Sequence, residues 1–188
     1  ALSQSAQLSE VVDEDSLIQT ALNSATPAAI LYGDESVSTE SSITSTMIFK
    51  AGRLASGIRE ITKKGYNPSD LVCVLHPVQY DALLKDTALS QYINFGDSSV
   101  IQKGIIPNVY GVEVRSSTKT PTGTGSGGIT TYHAHVYKKA VSLGVGISRD
   151  ITLKTFDDIR KNQYVFKASW DLAAAVIQSN SIVRVITA

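Results

Sequence analysis

Apolar and polar positions alternate along this chain in two rhythms. Leu8, Val11, Val12, Ile18, Leu22 and Ala25 recur at three- and four-residue steps, which predicts a helix over 8–25. Ser9 can cap it, Glu10 favours its first turn, and Pro27 ends it. Ala28 to Tyr32 is a short apolar run that Gly33-Asp34 turns, and 34–46 reads as a polar loop. The cleanest helical stripe lies over 47–64. There Met47, Ala51, Leu54, Ile58 and Ile61, widened by Ile48 and Ala55, form the inner face. Lys50, Arg53, Gly57, Glu60 and Lys64 form the outer one, and Gly65 supplies the left-handed stop.

The rhythm then changes. Leu71–Leu75 is a continuous apolar run and predicts a strand buried on both faces. His76-Pro77 opens a short helix over 78–85 with Val78, Ala82 and Leu83 facing in. Gly96-Asp97 reads as a turn and 98–103 as a helical turn. Residues 109–115 read as one strand with Tyr110, Val112 and Val114 on one face and Glu113 and Arg115 on the other. Residues 117–128 read as a flexible exposed loop. Strands follow over 131–137, 151–156 and 163–170, the last with Tyr164, Phe166, Ala168 and Trp170 on one face. The runs at 172–177 and 182–186 read as strands, with Arg184 interrupting the second. The expected fold class is α+β, without a regular βαβ winding.

Charge changes the picture in one respect. Lys and Arg balance Asp and Glu, 17 against 17, so the chain lacks the positive excess of a protein that tracks a phosphate backbone. The balance is uneven: residues 1–49 hold Glu10, Asp13, Glu14, Asp15, Asp34, Glu35 and Glu40 and no Lys or Arg. That segregation reads first as a solvated acidic helix end plus a polar loop; it would also let one subunit's acidic part meet a neighbour's basic part. The lone Cys73, inside an apolar strand, reads as a small hydrophobe. The longest apolar run, Leu172 to Ile177, is far below the ~20 residues of a membrane span, and no signal peptide opens the chain.

Candidate chemistry is sparse. His133 and His135, two apart on a strand, share a face and could begin a metal site. No third ligand is signalled, and the pair reads as the polar side of a strand whose inner side carries Tyr132, Ala134 and Val136. His76 follows a buried strand, where α/β enzymes place catalytic groups, but no G-x-S-x-G elbow accompanies it. It reads as a helix-start residue. The glycines at 123–128 lack the Gly-Lys-Ser/Thr of a phosphate cradle, and Gly144-Val145-Gly146 lacks the third glycine of a dinucleotide fingerprint. Asp157-Asp158 diverge as neighbours on a strand end. No catalytic, cofactor-binding or metal residue is assigned, and no cofactor is expected.

The order of segments carries more information than any one site. Residues 28–35 (Ala-Ala-Ile-Leu-Tyr-Gly-Asp-Glu) resemble the apolar-Gly-Asp element after the long spine helix of tailed-phage major capsid proteins of the Hong Kong 97 fold. Residues 71–86 resemble that family's strand and "Pro-x-x-aromatic" helix ending in Leu-Lys-Asp, followed by Tyr92-Ile93 and Gly96. Residues 104–114 are similar to its Gly-x-x-x-x-x-x-Gly-x-x-Val turn and strand. Lys138-Lys139-Ala140-Val141 with Arg149-Asp150 is similar to the opening of its long peripheral strands.

The resemblance implies an axial lobe of about 30–137 plus 172–188 and a peripheral lobe of about 1–29 plus 138–171. It implies an icosahedral shell subunit that forms pentamers and hexamers, encloses double-stranded DNA without reading its sequence, and assembles in the host cytoplasm into the virion. Neither an enzymatic activity nor a membrane partner is expected. The family's N-terminal arm and extended hairpin have no counterpart here. With Ala1 in place of methionine, the expectation is a C-terminal part that associates weakly by itself. An encapsulin-like nanocompartment shell protein is the related alternative. A small hydrolase using His76, with Asp81 or a serine, is the alternative from another class.

Overall fold

The computed structural model describes residues 14–89, 106, 108–139, 141–158 and 163–188; for 146–158 and 163–172 only the backbone is considered. Chain order runs α1 (14–24), β1 (Ala29–Tyr32), a 3-10 turn at Glu40–Ser42, α2 (Ala51–Lys63), β2 (Leu71–Leu75) and α3 (Pro77–Leu84). Then come β3 (Asn108–Val109), β4 (Val112–Ser116), β5 (Thr122–Thr124), β6 (Thr130–Lys138), β7 (Leu143–Asp158), β8 (Gln163–Val176) and β9 (Ile182–Thr187). The expected turn at 96–97 and helical turn at 98–103 lie outside the described residues, as do 8–13 of the first helix.

Seven of these strands form one mixed sheet in the order β1-β9-β6-β2-β4-β3, with β5 also on β6. β1 runs parallel to β9 and β2 parallel to β4; the other pairings are antiparallel. Strand alternation and register sort the side chains into two faces. One face carries Leu71, Cys73, Leu75, Ala134, Val136, Val183 and Val185. These join Phe49, Leu54, Ile61 and Leu83 in one continuous core beneath α2 and α3. The other face carries Val72, Val74, His133, His135, Ile182, Arg184 and Ile186, and α1 lies against it. β7 and β8 form a separate antiparallel ribbon with a register shift between Ser148 and Thr152.

Several expectations need correction. α2 starts at Ala51, because the Asp86 carboxylate accepts from the Ala51 amide at 2.8 Å and caps the helix there. Met47 to Lys50 stay non-helical: the Met47 carbonyl accepts from the Ala188 amide at 3.1 Å, and Phe49 fills the core. Arg53 and Gly57, expected outside, are buried. Gly57 lets α2 approach the sheet closely, since a Cβ there would lie 3.3 Å from Val136 Cγ2. Arg53 donates to the Tyr32 carbonyl at 2.7 Å and pairs with Glu35 at 3.0 Å. Ala55 and Ile48, expected inside, are exposed. On α3, Val78 is 45% exposed while Gln79, its neighbour, is fully buried.

Residues 109–115 are not one strand. Tyr110 (φ 53) and Gly111 (φ 78) make a two-residue hairpin turn between β3 and β4, the positive φ pair of a type I′ turn. Tyr110 therefore stands 64% exposed, although its two-residue spacing from Val112 imitates a strand. Residues 117–128 include β5 and a 3-10 turn. The strands expected at 151–156, 163–170 and 172–177 are parts of the longer β7 and β8. Arg184 does not interrupt β9; it sits mid-strand between Ile30 and His135.

Candidate functional site

His76 begins α3. Its Nδ1 accepts from the Val78 amide at 3.2 Å, and its own amide donates to Gln79 Oε1 at 3.2 Å. This reciprocal capping box satisfies helix-start amides that would otherwise lack partners. The imidazole stacks on Tyr132 with ring centroids 4.3 Å apart. Burial lowers its pKa. Nδ1 is thus committed to the backbone. Asp81 faces solvent and pairs with Lys85 at 2.5 Å, one helical turn on, rather than orienting His76. His76→Ala is expected to lower stability by about 1 kcal/mol, the cost of an N-cap; urea unfolding followed by far-UV circular dichroism measures it.

The histidines of β6 do not present a polar side to water: His133 is 9% exposed and His135 is fully buried. Expected opposite Ala134 and Val136, they do lie on the other face, but that face is covered too. Glu40 reaches in from its 3-10 turn, and its Oε1 accepts from the Thr131 hydroxyl and sits 2.8 Å from His133 Nε2. Burial opposes the Glu40 charge, yet the Thr131 and His133 contacts outweigh it and hold the carboxyl below its ordinary range. The same loop is tied a second time, by the Ser126 amide donating to the Ile43 carbonyl at 2.9 Å. The polar stretches 34–46 and 117–128 are therefore fastened to each other. Sequence alone carried no sign of this, because the partners lie about ninety positions apart.

Beside this lock, neither ring nitrogen of His135 has a hydrogen-bond partner among the described residues. Its cross-strand neighbour Arg184 spends its guanidinium on α1, donating from Nη2 to the carbonyls of Asn23 at 2.6 Å, Leu22 at 3.3 Å and Ala25 at 3.4 Å. A cation at these terminal carbonyls is favoured by the helix dipole. Among the described residues, no three His, Cys, Asp or Glu side chains gather closely enough to hold a metal. Cys73 is fully buried, and burial pushes its thiol pKa well up, so it is an inert core group. Gly123 and Gly125 serve packing: a Cβ on Gly123 would overlap the Glu40 carboxylate, and one on Gly125 would lie 2.7 Å from the Ile43 carbonyl oxygen. Gly144-Val145-Gly146 and Asp157-Asp158 lie in β7. No helix among the described residues is long and apolar enough to cross a membrane.

Comparison with family models and with curated proteins gives no match. Solved structures do match. A chain of Mycobacterium phage Che8 superposes with a TM-score of 0.73 at 16% identity, over 98% of this chain and 61% of that one. The capsid of cyanophage P-SCSP1u gives 0.65 at 15% identity, over 99% and 65%. The holo-SrpI encapsulin complex from Synechococcus elongatus PCC 7942 gives 0.60 at 12% identity, over 98% and 63%. The chain thus spans roughly three-fifths to two-thirds of these neighbours' length. Across almost its whole length it has the Hong Kong 97-type capsid fold of phage heads, an α+β architecture that an encapsulin shares.

Proposed function

We propose that the chain is a structural subunit of a tailed-phage capsid. In this reading, copies join into the pentamers and hexamers of an icosahedral shell that encloses double-stranded DNA, and no reaction is catalysed. The observation that carries it is the match of 97–99% of the chain to several phage capsid structures. The internal chemistry agrees. His76, His133 and Glu40, which an enzyme would need free, hold helix starts and loops in place. Zero net charge avoids repulsion between like copies. Exposed apolar groups such as Tyr110 and Ile177 suit contacts with neighbouring copies.

The proposed axial lobe, 30–137 with 172–188, centres on the seven-stranded sheet. The proposed peripheral lobe, 1–29 with 138–171, centres on the β7–β8 ribbon. The shell would be assembled in the host cytoplasm and make up the virion's wall, without a membrane partner. An encapsulin-like shell is the second reading, favoured by the SrpI match.

Electron microscopy of particles formed by the gene product in cells tests both. Hollow or DNA-filled icosahedral shells with five-fold vertices are expected. Shells filled with a protein cargo would select the encapsulin reading. A soluble non-assembling protein whose turnover of an ester substrate vanishes in His76→Ala would overturn both.

A further inference from the structure

We propose that α1 is an acid-released lid on the sheet, with His135 as its trigger. The inference concerns the chain by itself and does not depend on the shell reading.

The geometry places His135 under the helix. In the register, His135 lies between Val74 of β2 and Arg184 of β9. α1 touches both neighbours: Gln19 and Ile18 line one cleft with Val74 and Tyr137, and the carbonyls of Leu22, Asn23 and Ala25 receive Arg184. The helix therefore spans the row that contains His135 and shields the ring from water. Its polar attachment is incomplete: among the described residues, Gln19 Oε1 and Arg184 Nε are buried without a hydrogen-bond partner.

The electrostatics make the closed state intolerant of a proton. From β6 itself His133 faces the ring, and from β9 Arg184 does. Tyr137 lies two positions along β6. β2 presents only Val72 and Val74, and β4 beyond it carries Glu113 and Arg115. Tyr32 of β1 faces Arg184 rather than His135, and Glu40 from the 3-10 turn is occupied by Thr131 and His133. α1 brings Glu14 and Asp15 only at its other end, where Asp15 accepts from Ser117. Among the described residues, no carboxylate neutralises an imidazolium at this position. Burial first, then Arg184 and His133, push the His135 pKa down to about 3.

The sign follows from linkage. With α1 lifted, the ring meets water and returns towards its ordinary 6.5. The open state then binds a proton that the closed state refuses. Opening is unaffected above pH ~6.5 and grows by about tenfold for each pH unit below it, until the closed state also protonates near pH ~3. Release thus begins in mildly acidic solution, well before the buried ring itself titrates.

Native-state hydrogen exchange of the whole chain, corrected for intrinsic rates, tests this between pH 7.5 and 5. The amides of 18–24 are expected to lose protection about tenfold from pH 6 to 5. Those of β2 and β6 should stay at least tenfold better protected throughout. His135→Leu should flatten the slope for 18–24, whereas His133→Gln should keep it. Should His135→Leu fail to fold, the His135 ring carbon resonance in the wild type decides: it should not titrate between pH 7 and 5. PH-independent protection of 18–24, a slope shared by β2 and β6 at equal protection, a slope surviving in His135→Leu, or a His135 ring titrating near 6.5 would each overturn the proposal.

Discussion

Gln79→Leu is expected to lower the unfolding free energy by about 4 kcal/mol, near the upper end for single substitutions. Leucine would seem at home at a site with no solvent exposure. The amide, however, serves three other groups. Its Nε2 donates to the Tyr132 carbonyl at 2.9 Å and meets the Thr187 hydroxyl at 2.9 Å, and its Oε1 accepts from the His76 amide at 3.2 Å. One side chain thereby joins α3 to β6 and β9, on the edge of the main core. A buried polar group stripped of its partner costs about 1–3 kcal/mol, and here the loss is shared among three. Burying a few more apolar atoms recovers only about 1 kcal/mol. Urea denaturation monitored by tryptophan fluorescence and circular dichroism gives the midpoint shift. A change below 1 kcal/mol would show that these bonds do not hold α3 to the sheet.

Gly123→Val is expected to cost about 3 kcal/mol and to release the loop carrying Glu40. The new side chain would occupy the place of the Glu40 carboxylate and press on Thr131 Oγ1. Overpacking of this kind costs about 1–3 kcal/mol. Displacing Glu40 also strips His133 Nε2 and the Thr131 hydroxyl of their shared acceptor. Thermal unfolding should shift to lower temperature, and exchange protection of the Ile43 and Ser126 region should fall with it. The exposed Gly52 provides the contrast. Nothing lies within 4 Å of a Cβ there, so Gly52→Ala should raise stability by up to about 1 kcal/mol through helix propensity alone. Equal effects at the two positions would mean that Gly123 is only a loop glycine.

These two sites divide what is legible in the chain from what is not. The helix stripe of Ala51, Leu54 and Ile61 appears in the order of residues, because its period of 3.6 is local. So does β2, an unbroken apolar run that only a strand covered on both sides accommodates. The reading of His76 as a helix-start residue needed only the strand before it and the proline after it. The order of segments was enough to suggest the capsid architecture.

Other readings went astray where a local pattern had two meanings. Tyr110 keeps the two-residue spacing of a strand, yet positive φ at Tyr110 and Gly111 folds a hairpin there. Arg53 and Gly57 sit on the polar side of a helical wheel. They are nevertheless buried, because Tyr32 and Glu35 receive the guanidinium and the missing Cβ admits Val136.

The sequence by itself determined the inner stripe of α2, the buried strand β2 and the helix start at His76, and the capsid-like order in which the segments follow one another. Only the tertiary structure decided that Asp86 starts α2, that Glu40 ties its 3-10 turn to β6, and that His135 lies buried beside Arg184. The physical reason is one of range. Periodicity and capping act over a few residues, whereas these contacts join positions tens of residues apart and exist only once the sheet has brought them together.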